Sequence, residues 1–452
     1  MYTQHQMDQT IAAIATAPGE GGVAVIRVAG KQSIEIVAKA FSGPIHSYPS
    51  HTVHLGKIVN ADQVVIDEVL VLVMRAPKSY TGEDVVEIHC HGGSLISRRV
   101  LETILNSGAR AAGPGEFTFR AFMHGKIDLV QAEAVQNLIA AKNDLALHAA
   151  EQQLQGQLSS RILYFQQQLV DIAAMFEAWV DFPEEDLEFA SIENVIARLE
   201  SLKKQICHLA ATFQEGKLLQ FGPTLCLIGP PNAGKSSLMN VLLGKERAIV
   251  TSIAGTTRDT LEEELLIGNL HFRLIDTAGI RETKEIIEQE GIRRSKEAMQ
   301  KADLVLLILD ASLPLCPYAN QLLSMVDAKK TLLVWNKSDI ASVIPDGENS
   351  LLISAKNQTG IEALKQKISQ MIWQKALPSK EEVLITNIRH EKSLLNAAIS
   401  LRKVIDGLHI NLSPEFLSFD LKICLQELGE IIGHDITEDI LTAIFSKFCV
   451  GK

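Results

Sequence analysis

The sequence has few cysteines, no long apolar run and no excess of basic residues, and each absence excludes a class of protein. Its six cysteines are scattered over 452 residues without paired spacing, which favours a reducing cytoplasm over a disulfide framework. The apolar runs are too short to span a bilayer, and the first residues are too polar for a signal peptide. The net charge of -11 argues against a broad basic surface that holds nucleic acid unaided. If the protein acts on RNA, a local patch or a partner must help.

A glycine-rich segment in the middle of the chain predicts a nucleotide site. Apolar residues 225–228 indicate a buried strand, Gly229 to Ser236 has the spacing of a P-loop, and helical periodicity follows. In such a loop, backbone N–H groups and the helix N-terminus surround a polyphosphate. We expect Lys235 to reach the outer phosphates and the Ser236 hydroxyl to bind Mg²⁺.

Three further segments follow in the order typical of a GTPase. Asp276 to Gly279 follows an apolar strand and would contact the Mg²⁺ shell and a γ-phosphate. Asp339, in the segment that begins at Asn336, would accept from both N1–H and the 2-amino group of guanine. Adenine has neither donor there, so we expect ATP to be rejected. Ser354 to Lys356 would complete the pocket. Alone, the segment at Asn336 is also compatible with a polar turn, but the four signals together predict GTP binding.

The remaining patterns predict several domains. Short β-rich runs and one amphipathic helix indicate an α+β domain over residues 1–120, and helical periodicity covers 121–215 and returns over 377–452. We therefore expect a multidomain α/β protein with an N-terminal α+β domain and a helical-bundle domain. A Ras-like P-loop GTPase domain over 216–376 would be inserted into the bundle, which close domain termini permit. His89-Cys90-His91 could also be read as metal ligands, but neighbouring strand residues point to opposite faces.

Further motifs, of which all but Gly255 to Asp259 lie outside the GTPase segment, identify a family. They are Thr81-Gly82-Glu83-Asp84-Val85-Val86-Glu87, His91-Gly92-Gly93, Pro114-Gly115-Glu116-Phe117, Arg120-Ala121-Phe122, Lys126-Ile127-Asp128-Leu129, Gln131-Ala132-Glu133-Ala134, Gly255-Thr256-Thr257-Arg258-Asp259 and Phe448-Cys449-Val450-Gly451-Lys452. With these motifs the chain resembles the MnmE (TrmE) family of bacterial tRNA-modification GTPases along its whole length. The resemblance implies a cytoplasmic homodimer, formed through the N-terminal domain, that acts with a flavoprotein, MnmG, in a heterotetramer. Together they would add an aminomethyl-type group to C5 of the wobble uridine of tRNA, using 5-formyl- or 5,10-methylene-tetrahydrofolate.

The motifs and the resemblance together predict the nucleotide contacts. They are Asn232, Ala233, Gly234, Lys235, Ser236, Ser237, Thr251, Ser252, Ile253, Ala254, Gly255, Thr256, Thr257, Asp276, Thr277, Ala278, Gly279, Asn336, Lys337, Asp339, Ser354, Ala355 and Lys356. The resemblance further implies that Ser236 and Thr257 bind Mg²⁺.

Ile280 stands where Ras-like GTPases place the glutamine that orients water. Isoleucine cannot do this, and the residues alone would indicate a weak hydrolase or a GTP sensor. The resemblance implies instead that a potassium ion replaces the arginine finger and that Glu288 orients the attacking water. From the residues alone, Glu288 is more simply a solvated helix residue. The implied potassium ligands are Asn232, Thr251, the Ile253 carbonyl and Thr256.

A folate site is also implied by the resemblance. Arg27, Glu87, Lys126 and Lys452 match contact positions of the family, although each alone could be an ordinary charged residue. Cys449 could act chemically near the folate, or it could be a small buried apolar residue. A regulatory GTP switch that binds RNA or ribosomes without modification chemistry is the alternative function. Such a switch has no use for a folate site.

Overall fold

The computed structural model describes residues 7–181, 191–244, 264–267, 270–275, 296–341, 349–372, 382–434 and 436–452. The chain divides into two compact units. The first comprises residues 1–139, 150–210 and 389–452, and the second comprises 140–149 and 211–388. The second unit is therefore inserted into the first. No helix among the described ranges is long and apolar enough to cross a membrane.

The first unit contains a six-stranded mixed sheet in the order β3-β4-β5-β2-β1-β6. Its strands are β1 Ile11–Ile14, β2 Val23–Ala29, β3 Thr52–Val59, β4 Val65–Met74, β5 Val85–His91 and β6 Arg110–Ala111. The pair β1 and β6 is parallel, and the other neighbours are antiparallel. Alternate residues of the central strands, such as Ile26 on β2 and Ile88 on β5, pack in one core with the helices Ser33–Ala38 and Ser94–Asn106. The β-rich runs of the sequence form β1 to β5, whereas the two-residue strand β6 was not predicted.

Helices make up most of the other residues of the first unit that the structure describes. Their bounds are Glu116–Met123, Leu129–Ala140, Asp144–Leu154, Gln157–Asp181, Ile192–Ala211, Ile388–His409, Pro414–Ile432 and Glu438–Phe445, of which some run into the second unit at one end. Helix Gln157–Asp181 buries an apolar stripe that includes Ile162 and Phe165, as its periodicity predicts. Leu154 continues the same apolar periodicity toward the N-terminus but is the last residue of the preceding helix, Asp144–Leu154. Gly156 adopts a φ of 80°, and this left-handed turn separates the two helices.

The second unit is built on a sheet in the order β12-β11-β10-β7-β9-β8, in which only β8 is antiparallel to its neighbour. Its strands are β7 Thr224–Ile228, β8 Glu264–Ile267, β9 Leu270–Ile275, β10 Leu304–Asp310, β11 Thr331–Asn336 and β12 Ser350–Leu352. Alternate residues of β10 enter two separate cores, Leu306 in one and Leu307 in the other. A parallel sheet covered on both faces requires such a continuous apolar strand.

The helices of the second unit whose full bounds the structure describes lie on both faces of this sheet. They are Phe213–Phe221, Lys235–Gly244, Pro317–Met325 and Ile361–Ile372. Leu238 and Leu364 pack into the core on one face, and Leu322 packs into the core on the other. The expected fold class, an α+β domain and a helical bundle with an inserted Ras-like α/β domain, is confirmed. The predicted domain boundaries stay predictions.

Candidate functional site: the nucleotide loops and the N-terminal sheet

The predicted P-loop connects β7 to helix Lys235–Gly244 and depends on two glycines. A Cβ on Gly229 would lie 2.1 Å from the carbonyl oxygen of Ile308 on β10, and one on Gly234 would lie 2.1 Å from Nδ2 of Asn336. Both glycines also have a positive φ, as does Asn232 at 60°, a conformation that asparagine adopts more easily than most residues. The backbone of this loop is therefore packed directly against the ends of β10 and β11.

Asn336 joins three of the predicted segments. Its Nδ2 donates to the carbonyl oxygen of Ala233 in the P-loop at 2.9 Å, and its Oδ1 accepts from the backbone N–H of Ala355 at 2.9 Å. The side chain is 2% exposed, so both hydrogen bonds are shielded from water. One side chain thus fixes the phosphate loop relative to the two segments expected to contact the base.

Lys235 lies inside the curve of the loop. Its Nζ donates to the carbonyl oxygens of Gly229 and Pro230, each at 2.8 Å. Burial lowers the pKa of Lys235 below that of an ordinary lysine. Ser236 and Ser237 follow it, exposed, in the first turn of the helix.

Asp339 and Ser354 are in contact, as a shared guanine pocket requires. The Ser354 hydroxyl donates to the Asp339 carboxylate at 2.6 Å and accepts from the N–H of Asn357 at 3.1 Å. The hydrogen bond from Ser354 is the main reason that the pKa of Asp339 lies below its usual value, and the charge of Lys356 adds to it. An ionised carboxylate has lone pairs left to accept from a second partner.

Several predicted contacts fall outside the described residues. They are Thr251, Ser252, Ile253, Ala254, Gly255, Thr256, Thr257, Asp276, Thr277, Ala278, Gly279 and Glu288, together with Ile280. Of the predicted potassium ligands, the structure describes Asn232. Of the predicted magnesium ligands, it describes Ser236.

In the first unit, Arg27 on β2 faces Glu87 on β5. Nε of Arg27 donates to Oε1 of Glu87 at 2.8 Å, while Oε2 lies 3.6 Å from Nε2 of His89. The Arg27 guanidinium also lies 5.8 Å from the ring centroid of Tyr80 and 5.7 Å from that of Phe117. An acid and a base that are paired beside two aromatic rings suit a heterocycle that carries both donors and acceptors.

The last residues of the chain lie against this pair. Nη1 of Arg27 donates to the carbonyl oxygen of Gly451 at 3.4 Å, and the Gly115 N–H donates to the Cys449 carbonyl at 3.3 Å. Cys449 is exposed, which excludes the alternative that it is a small buried apolar residue. Lys452 is half-buried at the end of this segment. Lys126, the fourth predicted folate contact, donates through Nζ to the Pro77 carbonyl at 3.1 Å.

The structure does not support the hypothesis that His89, Cys90 and His91 bind a metal ion. Cys90 is buried in the core, whereas His91 is exposed and its Nδ1 lies 2.7 Å from the Asp67 carboxylate. Across the ranges that the structure describes, no three His, Cys, Asp or Glu residues are grouped closely enough to hold a metal ion.

A buried ion cluster in the first unit gives a physical role to residues that the sequence marked only as motif members. Glu116 and Arg120 are both 0% exposed. Glu116 accepts from Arg110 and from Arg120, and Arg120 also donates to Glu83 at 3.2 Å. Buried charges are stable only when paired in this way. These motif residues hold the start of helix Glu116–Met123 against the loop that contains Glu83.

A second buried cluster was not predicted at all. The Glu133 carboxylate lies 2.7 Å from Nε2 of His390 and accepts from Nη2 of Arg389 at 3.0 Å. Arg389 also donates to the carbonyl oxygens of Glu430 and Ile431. Burial, the largest cause, lowers the pKa of His390 below that of a free histidine. Burial raises the pKa of Glu133, but His390 and Arg389 together bring it below its usual value.

Two family models match the chain. The one described as "MnmE helical domain" matches residues 129–449, and "GTP-binding protein TrmE N-terminus" matches residues 10–126. A tRNA modification GTPase MnmE from Protochlamydia amoebophila is 58% identical over 447 residues, which is 98% of each chain. Another from Clostridioides difficile is 42% identical over 458 residues, covering 99% of this chain and 100% of the relative. Among solved structures, the G domain of the T. maritima FeoB iron transporter is similar at 26% identity over 33% of this chain and 98% of its own, with a TM-score of 0.25.

The helical-domain match alone covers well over half of the chain, and these relatives match nearly all of it. The chain therefore belongs to the MnmE family of tRNA modification GTPases.

Proposed function

We propose that this protein, a GTP hydrolase of tRNA modification, depends on potassium and acts with the flavoprotein MnmG on tRNA. The product would carry an aminomethyl-type group on C5 of the wobble uridine, and a tetrahydrofolate would donate the carbon. The observation that carries the GTPase half is the link made by Asn336 between Ala233 and Ala355. This link supports a phosphate loop close to the segment that contains Asp339, whose carboxylate suits guanine.

The loop residues then have distinct tasks. Gly229 and Gly234 let the backbone approach the phosphates, and Lys235 would exchange its bonds to the loop carbonyls for phosphate oxygens. Asp339 would accept from guanine while Ser354 keeps its carboxylate oriented. Donors fixed in place before substrate arrives need no reorganisation during hydrolysis, which favours the transition state.

The donor chemistry at the loop fits both proposed cations. The Ser236 hydroxyl and the Asn232 amide oxygen are hard oxygen ligands of the kind that Mg²⁺ and K⁺ prefer. Asn232 is exposed at the tip of the loop, and Thr257 is the proposed second Mg²⁺ ligand. When bound, potassium would supply the positive charge that an arginine finger supplies in other GTPases. Thr251, Ile253 and Thr256 are its further proposed ligands, and Glu288 would position the water.

GTP turnover in KCl and in NaCl at equal ionic strength tests this mechanism. We expect much faster turnover in KCl, and Asn232→Ala should abolish the difference with little loss of GTP affinity. Asn240→Ala, on the exposed side of the following helix, is the matched control and should keep the difference. Equal rates of the unmodified protein in both salts would refute the potassium mechanism.

The folate half of the proposal rests on Arg27 and Glu87. Oε1 of Glu87 is held by Arg27, but Oε2 makes only a 3.6 Å contact to His89 and so keeps acceptor capacity. A pterin edge presents N–H donors that this oxygen would accept, and Lys126 and Lys452 suit the carbonyl and glutamate groups of folate. The bound folate would supply the one-carbon unit.

The exposed thiol of Cys449 lies on the segment that contacts Arg27 through Gly451. We propose that it acts in the modification step. Cys449→Ser should then keep potassium-stimulated GTP hydrolysis but lose tRNA modification, and normal modification by this variant would exclude the role.

The homodimer is proposed to form on the uncovered face of the N-terminal sheet. Val53 and Leu55 on β3 and Leu70 on β4 are 56%, 65% and 45% exposed, and Leu55 pairs with Leu70 in register. Neighbouring exposed apolar side chains of this kind mark an interaction surface. A second copy would cover them. Light scattering should show a dimer for the unmodified protein and a monomer for Leu55→Glu; a dimeric variant would place the interface elsewhere.

A further inference from the structure

Asp310 lies at the carboxyl end of β10, next to the segment expected to recognise the base. Its backbone is in register with Asn336 on the parallel strand β11, and the Ala311 N–H donates to the Asn336 carbonyl at 2.9 Å. None of the four GTPase signals in the sequence includes Asp310. Its position nevertheless puts a carboxylate beside the turn that leads from Asn336 to Asp339.

Both oxygens of this carboxylate are engaged. Oδ1 accepts from the backbone N–H of Ser312 at 2.9 Å and from its hydroxyl, while Oδ2 accepts from Nζ of Lys337. The Asp310 side chain is 15% exposed. Burial raises the pKa of Asp310, but the hydrogen bonds from Lys337 and Ser312 outweigh it and hold the pKa below the usual value. The group is therefore an anion at neutral pH.

Lys337 needs such an anchor because its backbone is unusual. It has φ 67° and ψ 41°, the left-handed conformation, which residues other than glycine, asparagine and aspartate rarely adopt. The residues on either side are already fixed, Asn336 by Ala233 and Ala355, and Asp339 by Ser354. The Ser338 N–H donates to the Ile353 carbonyl at 2.9 Å and the Lys337 carbonyl accepts from Ile340 at 3.1 Å, so the bond to Asp310 adds the contact that fixes the Lys337 side chain.

We propose that Asp310 is a positioning residue that determines guanine specificity. By holding the Lys337 ammonium, it fixes the left-handed turn and thereby the direction in which Asp339 presents its carboxylate to the base. Loss of this anchor leaves the bond from Ser354 to constrain the Asp339 carboxylate, so the carboxylate is presented to the two guanine donors less precisely. The inference rests on the proposed guanine pocket at Asp339.

Asp310→Asn is the informative variant. The amide oxygen can still accept from Ser312, but the amide N–H₂ would face the Lys337 ammonium, so donor meets donor. The test compares the dissociation rates of guanine and inosine nucleotides, because inosine lacks the 2-amino group. Because the variant loses a hydrogen bond between two charged groups, we expect it to release GDP about tenfold faster. The preference for GTP over ITP should also fall, since the 2-amino group is no longer read.

Asp303→Asn is the matched control. Asp303 precedes the same strand at its opposite end, where its carboxylate accepts from the N–H and hydroxyl of Thr224. We expect this variant to keep the nucleotide rates and the preference of the unmodified protein. A thermal melt of both variants checks stability, and a purely structural role for Asp310 would lower the melting temperature without changing the GTP-to-ITP ratio.

Lys337→Met supplies an independent test, because it keeps the apolar stem and removes the ammonium. If the two residues act through one contact, the double variant should release GDP no faster than whichever single variant releases it faster. Additive effects, or an unchanged GTP-to-ITP ratio in either single variant, would overturn the inference. Asp339→Asn is assayed beside them. If it weakens GTP while Asp310→Asn does not, only the role of Asp310 is wrong; if it does not weaken GTP, the pocket itself is wrong.

Discussion

Replacing Glu133 by glutamine should destabilise the helices that surround it. Its carboxylate, 7% exposed, meets Nε2 of His390 at 2.7 Å and two nitrogens of Arg389 at 3.3 and 3.0 Å. Breaking a buried ion pair from one side costs about 3–5 kcal/mol because the partner charge stays buried. Arg389 keeps its bonds to the Glu430 and Ile431 carbonyls, so the lower figure of about 3 kcal/mol is the better estimate. That is about a hundredfold in the opening equilibrium.

Hydrogen exchange followed by mass spectrometry measures the opening equilibrium of each helix separately, which suits a chain of several domains. Peptides from helices Leu129–Ala140 and Ile388–His409 should exchange about a hundredfold faster in Glu133→Gln. The control is Asp406→Asn, which removes an exposed ion pair with Arg402 on helix Ile388–His409. It should change the free energy of opening by less than about 1 kcal/mol. If Glu133→Gln exchanged no faster than this control, the cluster would contribute nothing and the reasoning would be refuted.

Three further predictions concern the Glu133 cluster, the proposed folate contact Glu87 and the proposed guanine contact Asp339. His390 and Glu133 both have a pKa below the unfolded value, so the unfolded state binds more protons and stability should fall as the pH drops below about 6.5; a denaturation midpoint that holds constant from pH 7.5 to 5 would contradict this. Glu87→Ala should weaken calorimetric binding of a formyl-tetrahydrofolate and leave GTP affinity nearly unchanged, whereas parallel loss of both ligands would mean that Glu87 supports the fold. Asp339→Asn should lose affinity for GTP and gain affinity for xanthosine triphosphate, which accepts at C2, and a competition assay that shows no such exchange would exclude Asp339 as the reader of the base.

The elements around the nucleotide loops could be predicted because their signals are local. A strand, a glycine loop and a helix are specified by consecutive residues, so Gly229 to Ser236 indicates both structure and chemistry. The structure adds the hydrogen bonds that connect Ala233, Asn336 and Ala355. The sequence predicted that these segments meet but not which side chain joins them.

The buried clusters could not be predicted, because their partners are far apart in the chain. Glu133 and Arg389 are separated by 256 positions, and the motif that contains Glu133 indicates neither its burial nor its partner. Glu116 and Arg120 are four residues apart, yet the same spacing is typical of an exposed helical ion pair. Their burial depends on packing that only the fold supplies. For Cys449 the sequence left both a chemical role and a buried apolar role open, and the exposure that excludes the second is visible only in the structure.

Nucleoside mass spectrometry of tRNA tests the central proposal most directly. Cells that lack this protein should lose the aminomethyl-type group at C5 of the wobble uridine, and the unmodified gene should restore it. Glu87→Ala should fail to restore it even though the purified variant still hydrolyses GTP, because the folate would no longer be held beside Arg27. Wobble uridines that are unchanged in cells lacking the protein would contradict the account and favour a GTP switch without modification chemistry.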